Sequence, residues 1–156
     1  MTKKHSSTEK IIKTSYKFKP GQIWNADYTM AEFIYQLLKR YQKMPRDTYP
    51  VAEGINSPEE WEKLLKRFIK TFKRILNDYN DSPMNKAYDK LLKKHPKALK
   101  TQNIKRADGF YETKYKHKNL IDKYINDDVK QADQRYYEEI SESLQLFAKY
   151  FLNIWC

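Results

Sequence analysis

The residues able to perform chemistry are few and poorly placed for it. The three histidines, His5, His95 and His117, do not pair at helical spacing, and no H-E-x-x-H metal pattern occurs. Cys156 is the single cysteine, which excludes a disulfide within the chain and a cysteine-based zinc site. No G-x-S-x-G elbow, P-loop or G-x-G-x-x-G turn is present. Carboxylates are scattered, with Asp27 near Glu32 and Asp133 far along the chain. Metal binding needs several oxygens converging on one point, and no spacing proposes that convergence. The expectation is a non-enzymatic protein with no catalytic residue, no metal and no cofactor.

The chemistry that does stand out is that of binding. Lys93, Lys94, Lys97, Lys100, Lys105, Arg106, Lys114, Lys116 and Lys118 surround Phe110, Tyr111 and Tyr115. Lysines contact phosphates, and aromatic rings stack on unpaired bases. No RNP motif, zinc finger or leucine zipper accompanies them. A second basic series, Lys63, Arg67, Lys70 and Arg74, recurs at helical spacing. It is either a phosphate-facing surface or a solvated helix face.

Charge is distributed unevenly. The chain carries 25 lysines and six arginines and a net +11. Residues 1–24 hold +5 and residues 83–118 hold +8. Residues 25–56 balance, 57–82 hold +1, and 119–156 hold −3. A lysine-rich coding bias raises the total, so the position of the charge is more informative than its size. The asymmetry points to a polyanionic partner.

Three long helices must position these residues. Met30, Phe33, Ile34, Leu37, Leu38 and Tyr41 mark one face of the first, with Asn25 or Asp27 as cap and Pro45 as stop. Ser57-Pro58-Glu59-Glu60 opens the second with an N-cap, a first-turn proline and a glutamate three residues on. Its apolar face runs Trp61, Leu64, Leu65, Phe68, Ile69, Phe72, Ile75, Leu76 and Tyr79. The third helix shows Val129, Ala132, Tyr136, Ile140, Leu144, Phe147, Phe151 and Ile154, with Glu138, Glu139 and Glu142 outside. A short helix restarts at Ser82-Pro83 and ends before Pro96, and 119–125 leads into the last helix. Residues 97–118 show little periodicity apart from the Asp108-Gly109 turn signal. The segment 93–118 therefore reads as an insertion projecting from a bundle.

The expected fold is all-α: a small helical bundle with a lysine-rich insertion between the second and last long helices. Residues 1–19 form a basic arm, and 20–156 form one domain with the insertion at about 83–118. Only three glycines argue against a doubly wound sheet, and 23 aromatic residues argue against global disorder. No apolar run approaches the roughly 20 residues of a membrane span. A protein of the bacterial cytoplasm, with no membrane partner, is expected.

Trp24-Asn25-Ala26-Asp27-Tyr28-Thr29 resembles the W-[DN]-x-D-Y-T opening of small phage- and prophage-encoded proteins of unknown function. Tyr49-Pro50, Ser57-Pro58-Glu59-Glu60-Trp61 and the run Leu144-Gln145-Leu146-Phe147-Ala148-Lys149-Tyr150-Phe151 before Trp155 extend the resemblance. It covers 20–79 and 127–155. It implies a phage origin and a helical core, and no activity. Trp24, Tyr28, Trp61 and Trp155 are expected to form an aromatic cluster, the alternative being a pocket of Asp27, Tyr28 and Tyr49. The leading functional expectation is an accessory protein that binds nucleic acid or a host nucleoprotein, as an anti-CRISPR-like inhibitor of host defence would. The alternatives are a sponge for a signalling nucleotide and a structural, oligomeric phage accessory protein.

Overall fold

Serine, asparagine and proline set the helix starts. In the computed structural model, which describes residues 19–45, 49–50 and 53–154, α1 spans Pro20–Trp24 and α2 spans Ala26–Lys43. Helices α3 (Pro58–Leu76) and α4 (Pro83–Lys94) follow, then strands β1 (Thr101–Lys105) and β2 (Tyr111–Tyr115). Helices α5 (Lys118–Tyr124) and α6 (Asp127–Tyr150) close the chain with a 3-10 turn at Phe151–Asn153. Ser57 Oγ accepts the Glu60 N–H at 3.2 Å, and the Glu60 carboxylate accepts the Asn56 N–H at 2.7 Å. Ser82 Oγ caps α4 through Asn85, and Asn126 Oδ1 caps α6 through Val129. Each such cap contributes about 1 kcal/mol.

Two apolar clusters form the core. The first joins Ala31 and Leu38 of α2, Trp61, Leu65, Phe68 and Phe72 of α3, and Phe147 and Tyr150 of α6. Phe147 meets Phe68 and Phe72 edge-on, with centroids 5.3 and 5.0 Å away. Edge-to-face pairs set the positive ring edge against the negative ring face. Thr71 and Ser143 are buried between α3 and α6 and satisfy each other through a 2.7 Å hydrogen bond. The second cluster joins Ala87 and Leu91 of α4, Ala98, Ile121 of α5 and Ile125, with Val129 of α6 packed against it. The 24-residue α6, roughly 36 Å long, belongs to both.

The molecule is mostly helical, but it is not purely so. Strands β1 and β2 pair antiparallel in the segment read as aperiodic, from Thr101 opposite Tyr115 to Lys105 opposite Tyr111. The physical reason for the difference is burial. All ten strand residues are exposed, so neither face needs to be apolar and no alternation marks the sequence. The projection is also shorter than 83–118. Helix α4 packs on α6, where the Asp133 carboxylate accepts the Met84 N–H at 2.9 Å, so only the hairpin stands outside the body.

Four further expectations change. On α2 the buried face turns toward Ala31 and Leu38, leaving Met30 and Phe33 exposed. Helix α3 ends at Leu76, and Asp78 and Tyr79 take left-handed backbone (φ 48° and 56°), so Tyr79 leaves the helix face. On the last helix Ala132 and Phe151 are exposed, and Ser143 and Tyr150 take buried places. The aromatic cluster does not form as expected: Trp61 is buried, whereas Trp24 is 88% exposed and Tyr28 is exposed. Trp155, Cys156 and most of the basic arm lie outside the described residues. No described helix is long and apolar enough to cross a membrane.

Candidate functional site

Asp108 and Gly109 build the hairpin tip. Gly109 adopts φ 88°, a region glycine enters without steric cost, and Asp108 Oδ1 accepts the Phe110 N–H at 3.1 Å. The Arg106 N–H donates to the Phe110 carbonyl at 2.7 Å, carrying the pairing one step past the strands. At the base the Lys116 N–H donates to the Lys100 carbonyl at 2.8 Å. This fixes Lys100 and Lys116 side by side above the second cluster, where Ala98 is buried.

Period-two alternation then sorts the side chains. Thr101, Asn103 and Lys105 share one face with Tyr111, Thr113 and Tyr115. Gln102, Ile104, Glu112 and Lys114 occupy the other. Tyr111 is 69% exposed and Tyr115 49%, and Phe110 is exposed beside the tip. An isolated two-stranded hairpin is marginal in water, and this one buries none of its rings in the body.

The predicted cations divide into two groups. Lys93 and Lys94 lie in the last turn of α4, and Lys97 and Lys100 in the connection to β1. With Lys105 and Lys116 they are exposed and make no ion pair among the described residues. Arg106 pairs with Asp108 at 3.1 Å, Lys114 with Glu112 at 3.1 Å, and Lys118 with Asp122 at 2.9 Å. Exposed pairs of this kind contribute little to stability. The chain thus runs from α4 through the connection into the hairpin with cations along its whole length.

The second basic series has a different fate. Arg67 donates to Glu142 at 2.9 Å and Arg74 to Glu139 at 3.2 Å, clipping α3 to α6. The Arg74 side chain is only 13% exposed, with Asp81 at 3.6 Å and the Tyr136 ring 4.2 Å from its guanidinium carbon. Tyr136 Oη donates to Asp81 at 2.7 Å. Burial pushes the Tyr136 phenol well up, and its hydrogen bond to Asp81 adds to the shift. For Asp81 burial pulls upward, but the Tyr136 hydrogen bond and the Arg74 charge together hold its carboxyl below the usual range. Lys63 and Lys70 remain exposed on this face.

The pocket expected from Asp27, Tyr28 and Tyr49 is not assembled. Tyr49 is half-buried and donates to the Asn56 carbonyl at 3.1 Å, whereas Asp27 is exposed in the first turn of α2. A shallow groove beside Tyr49 is lined by Trp61, Lys63 and Lys66, with Glu59 and Glu62 among them. Among the described residues no group of three or more His, Cys, Asp or Glu could hold a metal ion. Sequence reasoning found the hairpin's residues singly and missed their partition into faces. It also missed the joint of Arg74, Asp81, Tyr136 and Glu139, for which no local spacing gives a signal. Comparison with protein-family models, with curated proteins and with solved structures returned no match for this chain.

Proposed function

We propose that this chain is a non-enzymatic phage or prophage accessory protein that binds nucleic acid or a host nucleoprotein through its hairpin end, as an anti-CRISPR-like inhibitor does. The observation that carries the reading is the hairpin with its exposed tyrosines, joined to six exposed lysines from the end of α4 to Lys116 that make no ion pair among the described residues. The resemblance of the Trp24–Thr29 opening and of the last helix to phage proteins supports the origin. Binding through lysines releases counterions from the nucleic acid, so affinity must fall steeply with salt. With six phosphate contacts the slope of log affinity against log salt on a single strand is about −4. Fluorescence anisotropy of labelled oligonucleotides across a salt series tests this, and a flat series refutes it.

Self-association is the second reading, and a specific observation favours it. Ile23, Trp24, Met30, Phe33 and Met44 expose much apolar surface along α1, α2 and the end of α2. Light scattering that gives a mass well above 18.9 kDa, with a return to the monomer in Trp24→Ser/Phe33→Ser, would support it. The nucleotide-sponge reading draws least support, because Glu59 and Glu62 line the groove that holds Lys63 and Lys66.

A further inference from the structure

The two faces of the hairpin are chemically unlike, and the difference bears on which nucleic acid fits. On one face Tyr111 and Tyr115 stand four residues apart along β2, a separation of about 13 Å in an extended strand. Between them lie Thr113 and its partner Asn103, tied by a 3.0 Å hydrogen bond from Thr113 Oγ1 to Asn103 Oδ1. Lys105 faces Tyr111 across the ladder, and Thr101 faces Tyr115. The face is therefore two open rings over a low polar floor, with a cation at one end. The opposite face carries Ile104 and the Glu112–Lys114 ion pair.

We propose that this hairpin binds unpaired nucleotides, with Tyr111 and Tyr115 stacking on bases while Lys105 and the lysines at the hairpin base hold the backbone. This rests on the nucleic-acid reading above and narrows it. A two-stranded ribbon can also enter the major groove of a duplex, where arginine or lysine reads guanine and asparagine or glutamine reads adenine. Of the side chains on this hairpin that could read base edges, Asn103 is already bonded to Thr113, Lys114 is paired with Glu112, and Arg106 at the tip with Asp108. Glu112 on one face would meet phosphates, and the rings on the other cannot stack on bases already stacked in a helix. An unpaired strand removes both conflicts: its bases offer free π-faces, and its backbone can track the lysines on one side.

Fluorescence anisotropy with labelled oligothymidine and with a duplex of equal length tests the proposal, using heparin as a base-free competitor. The full chain is expected to bind oligothymidine more tightly than the duplex. Tyr111→Val/Tyr115→Val keeps residues suited to strands and is expected to lose about 100-fold on oligothymidine, at about tenfold per ring. The same variant should change duplex and heparin binding less than threefold. Tyr111→Phe/Tyr115→Phe should restore oligothymidine binding, and Ile104→Val on the other face should leave it unaltered. Circular dichroism on each variant confirms that the helical body is intact. Duplex binding equal to or tighter than oligothymidine binding would overturn the proposal while leaving the nucleic-acid reading in place. Unchanged oligothymidine affinity in the valine variant would do the same. If neither probe binds, the nucleic-acid reading itself falls, and this proposal with it.

Discussion

The chain carries two surfaces rich in lysine and arginine, and they differ in what faces them. Along α3, Arg67 and Arg74 meet Glu142 and Glu139 of α6, and Arg74 also meets Asp81 and the Tyr136 ring. At the hairpin end, Lys93, Lys94, Lys97, Lys100, Lys105 and Lys116 are exposed and make no ion pair among the described residues. Counting basic residues does not separate the two. The separation lies in the arginines: the acidic side of α6 engages both of those on α3, whereas Lys63 and Lys70 stay exposed there. A cation already committed to a carboxylate makes a poorer phosphate ligand than a free one, because the partner must be displaced first.

The strongest way to break this comparison is by charge reversal. Glutamate at Lys93, Lys94, Lys97, Lys100, Lys105 and Lys116 should lower oligonucleotide affinity at least about 100-fold at low salt, measured by anisotropy. Glutamate at Lys63, Lys66, Lys70 and Lys73 should lower it less than about threefold, since charge at a distance acts mainly through screened long-range attraction. A larger loss from the second set would move the interface to α3.

Next in size is Arg74→Met, which leaves Glu139 without its partner and Asp81 with Tyr136 alone. Both carboxylates are largely open to water, so the cost is about 1–2 kcal/mol in chemical denaturation, with oligonucleotide affinity unchanged. Tyr136→Phe removes the donor to Asp81 and should cost about 1 kcal/mol at neutral pH. The pH dependence of that cost sharpens the point. The Asp81 carboxyl is depressed in the folded state, so its contribution is complete above about pH 4, the unfolded value. It fades as pH falls through the folded value, and the variant and the parent should converge there. At the alkaline end the Tyr136 phenol is raised, so stability should decline once pH exceeds about 10. The smallest effect belongs to Arg67→Ala, whose exposed pair with Glu142 should cost less than about 0.5 kcal/mol.

How much the sequence revealed follows from what each element buries. Helices α3 and α4 were legible because serine–proline starts and a 3.6-residue apolar period coincide in them, and α6 because its apolar series is long. On α2 the helix and most of its buried face were legible, with Leu38 buried and Ile34 and Tyr41 packed against the core. At the start of α2 the small Ala31 faces the core while the larger Met30 and Phe33 do not, so side-chain size misled there. The hairpin left only the Asp108-Gly109 signal, since a strand exposed on both faces carries no burial pattern. Its lysines and tyrosines were identifiable singly, but the register that puts Tyr111 and Tyr115 on one face is a property of the pairing. The link of Arg74 to Glu139 spans 65 positions and that of Tyr136 to Asp81 spans 55. Local spacing cannot encode contacts at that range.

Helix α6 takes part in both apolar clusters, and this governs how the molecule should open. The Val129 end is held by the smaller cluster of Ala87, Leu91, Ala98, Ile121 and Ile125. The Phe147 end is held by Trp61, Phe68 and Phe72. Opening free energies follow local burial, so one continuous helix spans two cooperative units of unequal strength. In native-state hydrogen exchange the amides of α6 should therefore show graded protection, rising from the hairpin end toward Phe147. A ligand seated on the hairpin would then be felt first as slower exchange in the first turns of α6.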